Sequence, residues 1–173
     1  LLSYLPTQGH RRYRLSGGYY HQPPFFKEMR RPDGSLNKAV KAQRSIHVVA
    51  GYDYYFERWE RPFKFTTEVY YKHMDRLIPY QVNIVRIVYS GENEAKGYAA
   101  GIDFKINGEL VPGEESWATL SFLKTEEDLL NDQWSDPERA GEPGYTPRPS
   151  DQRVNFSLFF QDYLPNNPDF KVH

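Results

Sequence analysis

Three features of this sequence predict an all-β chain whose antiparallel strands form a segment of a transmembrane β-barrel. Apolar and polar residues alternate with a period of two in segment after segment, and the connections between segments run alternately short and long. Aromatics make up 16% of residues, with 14 Tyr and 11 Phe, yet the mean hydropathy is -0.77, so oily residues are spread through polar sequence rather than pooled. A strand turns successive side chains to opposite faces, so such alternation makes one oily wall and one polar wall.

Composition narrows the field further. No apolar run approaches the roughly 18 residues of a membrane-spanning helix. A membrane barrel stays open, because its alternating strands leave a much weaker hydropathy signal. The net charge of -1 and pI near 6.6 predict no general attraction to nucleic acid. Without Cys, disulfides, thiolate metal sites and Cys nucleophiles are excluded within the chain. The chain starts Leu1-Leu2 with no basic region leading into an apolar one, so no signal peptide is expected. Either the protein is not exported or this is an internal piece of something longer.

In chain order, Leu1 to Leu5 predicts the tail of a strand, Pro6 to His10 a turn, and Tyr13 to Tyr20 a second strand. His21 to Gln43 is a long basic connection, broken by Pro23-Pro24 and by Pro32-Asp33-Gly34. In Arg44 to Phe56, Ile46, Val48, Ala50, Tyr52, Tyr54 and Phe56 oppose Ser45, His47, Gly51 and Asp53. After a short link, Pro62 to Asp75 sets Phe63, Phe65, Thr67, Val69 and Tyr71 against Lys64, Thr66, Glu68, Tyr70 and Lys72, at about the length of a tilted membrane strand, roughly 9 to 11 residues. A helix would scatter those apolar residues around its axis. Arg76 to Ala95 is long again; its VNIVRIVYS run predicts either a sheet extension or a loop hairpin.

Lys96 to Asn107 places Tyr98, Ala100, Ile102, Phe104 and Ile106 opposite Ala99, Gly101, Asp103, Lys105 and Asn107, and the short GELVPG leads to a less regular strand, Glu115 to Lys124. Thr125 to Asp151 is the longest connection, an acidic one whose charges are opposed only by Arg139 and Arg148. Gln152 to Gln161 gives Val154, Phe156, Leu158 and Phe160 against Arg153, Asn155, Ser157 and Phe159; LPNNPD is a short turn, and Phe170 to His173 begins another strand. An outer-membrane barrel has short periplasmic turns and longer outer loops, a rhythm that a soluble sandwich has no reason to keep. About six full strands and two partial ones fall short of the eight that close a barrel, so a slice of a larger one is expected.

The runs QRSIHVVAGYDYYFE, RPFKFTTEVYYKHMDRLIPY, ENEAKGYAAGIDFKINGELVPGEESWATLSFLKTEED and PRPSDQRVNFSLFFQDYLP go beyond periodicity. Over nearly all of residues 10 to 173 they resemble the C-terminal part of the barrel of TonB-dependent outer-membrane receptors, in the subgroup with an N-terminal carboxypeptidase-regulatory-like domain. The resemblance implies a barrel of about 22 strands in a Gram-negative outer membrane, filled by an N-terminal plug and importing a scarce large solute such as a metal chelate, cobalamin, glycan or peptide. TonB supplies the energy. Outer-membrane lipid, the plug, TonB and a surface lipoprotein are the partners so implied; no cofactor is. The whole chain, residues 1–173, then belongs to one barrel domain, with plug, TonB-contacting segment and signal peptide outside it.

On this reading Ile46, Val48, Phe63, Phe65, Val69, Tyr71, Ile102, Phe104, Phe156, Leu158 and Phe160 face lipid. Lys64, Glu68, Tyr70, Lys72, Asp103, Lys105 and Asn155 line the lumen. Glu68 and Asp103 have the chemistry of an acid-base pair, but a mutually compensated polar wall is the expectation, and no enzyme. His47 and His73 lack the clustered spacing of zinc ligands. The run Glu126, Glu127, Asp128, Asn131, Asp132 offers calcium its oxygens without an EF-hand pattern, so a solvated loop is expected. The basic loop at Arg30 and Arg31 and the acidic loop at Asp132 are candidates to attract each other over the barrel mouth, or the basic loop to meet lipopolysaccharide phosphates. Tyr70, Trp117, Trp134 and Tyr145 are the aromatics left free to meet solute. A porin or structural outer-membrane barrel, and a soluble β-barrel or sandwich holding a small hydrophobic ligand, remain the alternatives.

Overall fold

The computed structural model describes residues 1–7, 9–130, 144–164 and 167–172. Among the described residues there is no helix. The strands are β1 (Leu2–Tyr4), β2 (Arg11–Gln22), β3 (Gln43–Arg58), β4 (Arg61–Leu77), β5 (Tyr80–Asn83), β6 (Arg86–Tyr89), β7 (Ala95–Val111), β8 (Glu114–Leu129), β9 (Thr146–Pro147), β10 (Val154–Phe159), β11 (Asp162–Leu164) and β12 (Asn167–Val172). The main sheet has the order β1-β2-β3-β4-β7-β8-β10, with β9 alongside β8 and every pairing antiparallel. It is open, because β1 and β10 do not pair.

Register turns the alternation into two faces. Tyr13, Tyr52, Thr67, Phe104, Leu120 and Phe156 follow one another from β2 to β10 as directly opposed residues. So do Arg14, Gly51, Glu68, Asp103, Ser121 and Asn155 on the other side. A slip of one residue anywhere would mix the two sets, so the match fixes the pairing.

Tight turns explain the short connections. Trp59 (φ 54) and Glu60 (φ 58) alone join β3 to β4, both in the left-handed region that a type I′ hairpin demands. Pro112 and Gly113 (φ 78) join β7 to β8 as proline and glycine do in a type II turn. The GELVPG connection is therefore shorter than expected, since Gly108 to Val111 still belongs to β7. Likewise β12 begins at Asn167, not Phe170, and pairs with β11.

The long connections lie at the opposite end. VNIVRIVYS forms its own two-stranded hairpin, β5–β6, rather than a sheet extension. The basic loop docks on the segment that follows this hairpin. Arg31 binds Glu92 through two nitrogens at 3.0 and 2.8 Å, and Asn37 donates to the Gly91 carbonyl at 2.9 Å. Asn93 accepts from the Lys41 amide at 2.7 Å and donates to the carbonyls of Lys41 and Arg76 at 3.0 and 2.7 Å. Within the basic loop, hydrogen bonds from the Ser35 hydroxyl and amide hold the Asp33 carboxyl below the usual carboxylate range. The proposed meeting of this loop with Asp132 lies outside the described residues.

At that same end the two faces exchange character. A bulge between Met74 and Leu77, with Arg76 at φ 57, lets Leu77 pair with Ala95. Met74, Leu77 and Ala95 are buried there, with Ala99 and Leu129 packed against them, on the face that is polar further along the strands. The formerly apolar face carries Lys96–Asp128 (3.2 Å), Lys124–Glu126 (2.9 Å) and Arg44–Asp75 (2.6 Å) instead.

Candidate functional site

The apolar face comes first, because its exposure decides what surrounds the sheet. Ile46, Val48, Phe63, Phe65, Val69, Tyr71, Ile102, Phe104, Phe156 and Leu158 share it by register, and Phe160 lies just past β10, exposed. Val69 is 52% exposed, Phe156 65% and Leu158 61%. A soluble sheet of this size hides such a face in its core, whereas a contiguous exposed one marks contact with another phase or molecule.

Aromatic pairs bound this face at both ends. Toward the short turns, Tyr54, Phe56 and Phe63 stack in series at 5.5 and 5.6 Å, and Trp59 meets Phe63 edge-on at 6.1 Å. Toward the long loops, Tyr71 stacks on Tyr98 at 6.2 Å, and Tyr145 meets Tyr98 edge-on at 5.4 Å. The charged pairs begin at these tyrosines: Lys124 lies in the row of Tyr71, and Glu126 in that of Tyr98, whose hydroxyl donates to it. Phe63 through Tyr71 spans about 26 Å of strand at roughly 3.3 Å per residue.

The polar face is organised in cross-strand rows. Toward the short turns one row is Tyr55–Lys64–Asn107–Trp117–Phe159, and the next inward is Asp53–Thr66–Lys105–Thr119–Ser157. Lysines here lie over rings: Lys64 over Tyr55 at 5.4 Å and Lys105 over Trp117 at 5.6 Å, while Trp117 stacks on Phe159 at 5.9 Å. Asp53 is buried and accepts from Arg14 (3.2 Å) and Thr66 (2.9 Å), with Lys64 at 3.4 Å. Arg14 reaches Glu68 as well, at 2.9 Å. Further along, the Tyr70 ring lies over Gly101, where only the missing side chain makes room.

The expected lumen residues Lys64, Glu68, Tyr70, Lys72, Asp103, Lys105 and Asn155 thus all lie on this one face. Their compensation differs from the expectation. It runs through Arg14 and Asp53, not among the five charges themselves. Asp53 stands in the aromatic run GYDYYF, and its isolation there was the one signal that it is special. Arg14, on another strand, was tied to it by nothing before the register.

Other candidates are separated by the fold. Glu68 and Asp103 are directly opposed across β4 and β7, but Arg14 engages Glu68, which leaves a wall charge rather than a poised acid-base pair. His47 faces the polar side, bonded to the Ser45 hydroxyl at 2.9 Å and tilted against the Tyr20 ring at 4.4 Å, while His73 faces the apolar side opposite Ile46 and Tyr98. No metal can bridge them through the sheet.

The acidic run is corrected more substantially. Glu126, Glu127 and Asp128 belong to β8, not to a loop, so alternation sends Glu127 away from the other two. Lys124, Arg148 and Lys96 engage them in turn, and Arg153 binds Asp151 at 2.6 Å; the acids are not opposed by Arg148 and Arg139 alone. Asn131, Asp132, Trp134 and Arg139 lie outside the described residues. Tyr145 packs on Tyr98, at the border of the apolar face, with Lys96 5.9 Å from its ring centroid. Among the described residues no group of three or more His, Asp or Glu side chains gathers as a metal site requires.

Compared with protein-family models, curated proteins and solved structures, the chain matches none.

Proposed function

We propose that this chain is a wall segment of a TonB-dependent outer-membrane transporter. In this reading the apolar face meets outer-membrane lipid, the polar face lines the lumen, and the long connections stand outside the cell. One observation supports the membrane reading above the others: the apolar face is exposed, and at the Tyr71–Tyr98 row it gives way to ion pairs while the opposite face turns apolar. Such an inversion is what a strand crossing from hydrocarbon into water requires. Aromatic girdles at both limits fit the same boundary. The spacing fits too, since a span of about 26 Å tilted by about 40° stands roughly 20 Å tall, near the ~25 Å band of outer-membrane barrels.

The step from barrel to TonB-driven import rests on the sequence resemblance. It carries the partners with it: a plug from the same parent chain, TonB through that plug, a surface lipoprotein, and a scarce large solute. Chemistry is not part of the role proposed, because Glu68, the acid opposed to Asp103, is held by Arg14 as a wall charge.

Spin labels placed singly on the intact protein in lipid vesicles test the wall. Labels at Val48, Val69 and Ile102 are expected to collide with lipid-soluble oxygen, and labels at Thr66 and Asp103 with a water-soluble nickel chelate. Equal access of the chelate to both sets would sink the membrane reading. Uptake that persists without the TonB-contacting segment would instead favour a passive barrel.

A further inference from the structure

Among the described residues, the polar face has a row whose charge is not balanced. Four residues beyond Glu68 on β4 stands Lys72, between His47 on β3 and Ala99 on β7. Lys72 is half-buried, and among the described residues it makes no ion pair, hydrogen bond or ring contact. Its neighbours carry nitrogen rather than oxygen: His47 is directly opposed to it, and the Arg148 guanidinium lies 3.5 Å from the sulfur of Met74, two residues along β4 on the same face. Ser45 and the ring of Tyr20 complete the surroundings of His47.

The acids within reach are engaged elsewhere. Glu127 holds Arg148 at 3.0 Å, and Asp151 holds Arg153 at 2.6 Å while accepting from the Thr125 amide at 2.7 Å. Glu68, bound to Arg14, and Asp103 opposite it begin about 13 Å down their strands at roughly 3.3 Å per residue, further than the Debye length of about 8 Å at physiological salt. Between the two rows lies Val49–Tyr70–Gly101–Leu123, which carries no charge. A half-withdrawn ammonium beside an imidazole and a guanidinium, with no carboxylate of its own among the described residues, is arranged for an acceptor that comes from outside.

We propose that Lys72, flanked by His47 and Arg148, forms an oxyanion site on the polar face, and that the solute passing this wall carries a carboxylate or phosphate. The site rests on the assignment of that face to the lumen. Lys72 supplies a flexible point charge, Arg148 a planar donor whose far side is fixed by Glu127, and His47 a ring anchored by Ser45.

Lysine-acetylation footprinting of the intact protein in lipid vesicles, read by mass spectrometry with and without inorganic phosphate, tests both levels. Phosphate is expected to slow acetylation of Lys72 saturably, by about tenfold, while Lys64 and Lys105 are unchanged; sodium chloride at equal ionic strength should not reproduce this. Radiolabelled phosphate should bind about tenfold more weakly to the Lys72→Gln variant and nearly normally to Lys72→Arg. Slowing that is absent, or equal at Lys105, overturns the site. So does a Lys72 that is unreactive before phosphate is added, since a carboxylate of the protein itself would then fill the position. A misfolded variant leaves the footprint of the unaltered protein to decide. A Val69→Cys variant in the same vesicles separates the two readings. Rapid labelling of that thiol by a water-soluble maleimide defeats the wall assignment, whereas a protected thiol with an unprotected Lys72 defeats only the anion site.

Discussion

Asp53 lies beneath Arg14, 1% exposed, its carboxylate 3.2 Å from the guanidinium, 2.9 Å from the Thr66 hydroxyl and 3.4 Å from Lys64. Three strands, β2, β3 and β4, are tied at this one oxygen-rich point. Removing Asp53 leaves Arg14, which keeps Glu68, and Lys64, each about a third exposed, so the loss is only part of that for a fully buried pair, about 1 to 2 kcal/mol. The expected result for Asp53→Ala is a fall of that size in unfolding free energy, with Asp53→Asn milder because it keeps an acceptor for Thr66. Denaturant titration checks it. A loss below about 0.5 kcal/mol, the range of an exposed pair, would show that Arg14 and Lys64 find water instead.

Charge placed on each face separates lipid from lumen. Val69 and Thr66 are neighbours on β4 with opposite faces. Arg at a lipid-facing position near the bilayer midplane costs roughly 2 to 4 kcal/mol. Val69→Arg or Ile102→Arg should therefore impair insertion by that amount, and Thr66→Arg by much less. Folding into vesicles, followed by protection from protease, reports it; equal costs on both faces would refute the assignment.

Period-two alternation was enough to find the long strands and to sort their residues onto faces, because each side of this sheet has one character over its middle stretch. Phe63, Phe65, Val69 and Tyr71 needed no knowledge of their partners. Alternation was uninformative wherever the faces exchange character. Glu126 to Asp128 looked like loop because charged residues follow one another there, although they are the outer end of β8, from the row of Tyr98 outward. Turn chemistry was silent at Trp59-Glu60, which carries neither the Gly nor the Asn that announces a type I′ turn, so only the shortness of the link was legible. What no local pattern contains is pairing across the sheet. Arg14–Asp53 and Met74–Arg148 are separated by long stretches of chain and became neighbours only in the fold.

Tyr70 and Gly101 form a close joint on the polar face. A Cβ built on Gly101 would lie 2.5 Å from the tyrosine Cζ and 2.7 Å from the Phe122 carbonyl oxygen. Since the ring can move and the carbonyl cannot without disturbing the β7–β8 ladder, Gly101→Val is expected to destabilise by about 1 to 3 kcal/mol, as overpacking does. Combining it with Tyr70→Ala should recover part of that loss, but not all. A double-mutant cycle measures the shared part; full recovery would mean that the carbonyl contact is unimportant, and none would mean that the ring yields freely.

The clasp on the basic loop pits an ion pair against hydrogen bonds. Arg31 and Glu92 are both about 40% exposed, so water and salt weaken their attraction, and such pairs contribute at most about 1 kcal/mol. Asn93 instead satisfies three backbone groups, the Lys41 amide and the carbonyls of Lys41 and Arg76. At about 1 kcal/mol each, they together outweigh the pair. Asn93→Ala should thus free the loop more than Glu92→Gln does, seen as faster hydrogen exchange at the Lys41 amide and faster tryptic cleavage after Lys38 and Lys41. Raising salt should reproduce only the weaker Glu92→Gln effect. If salt alone opened the loop as far as Asn93→Ala, charge rather than the asparagine would be holding it down.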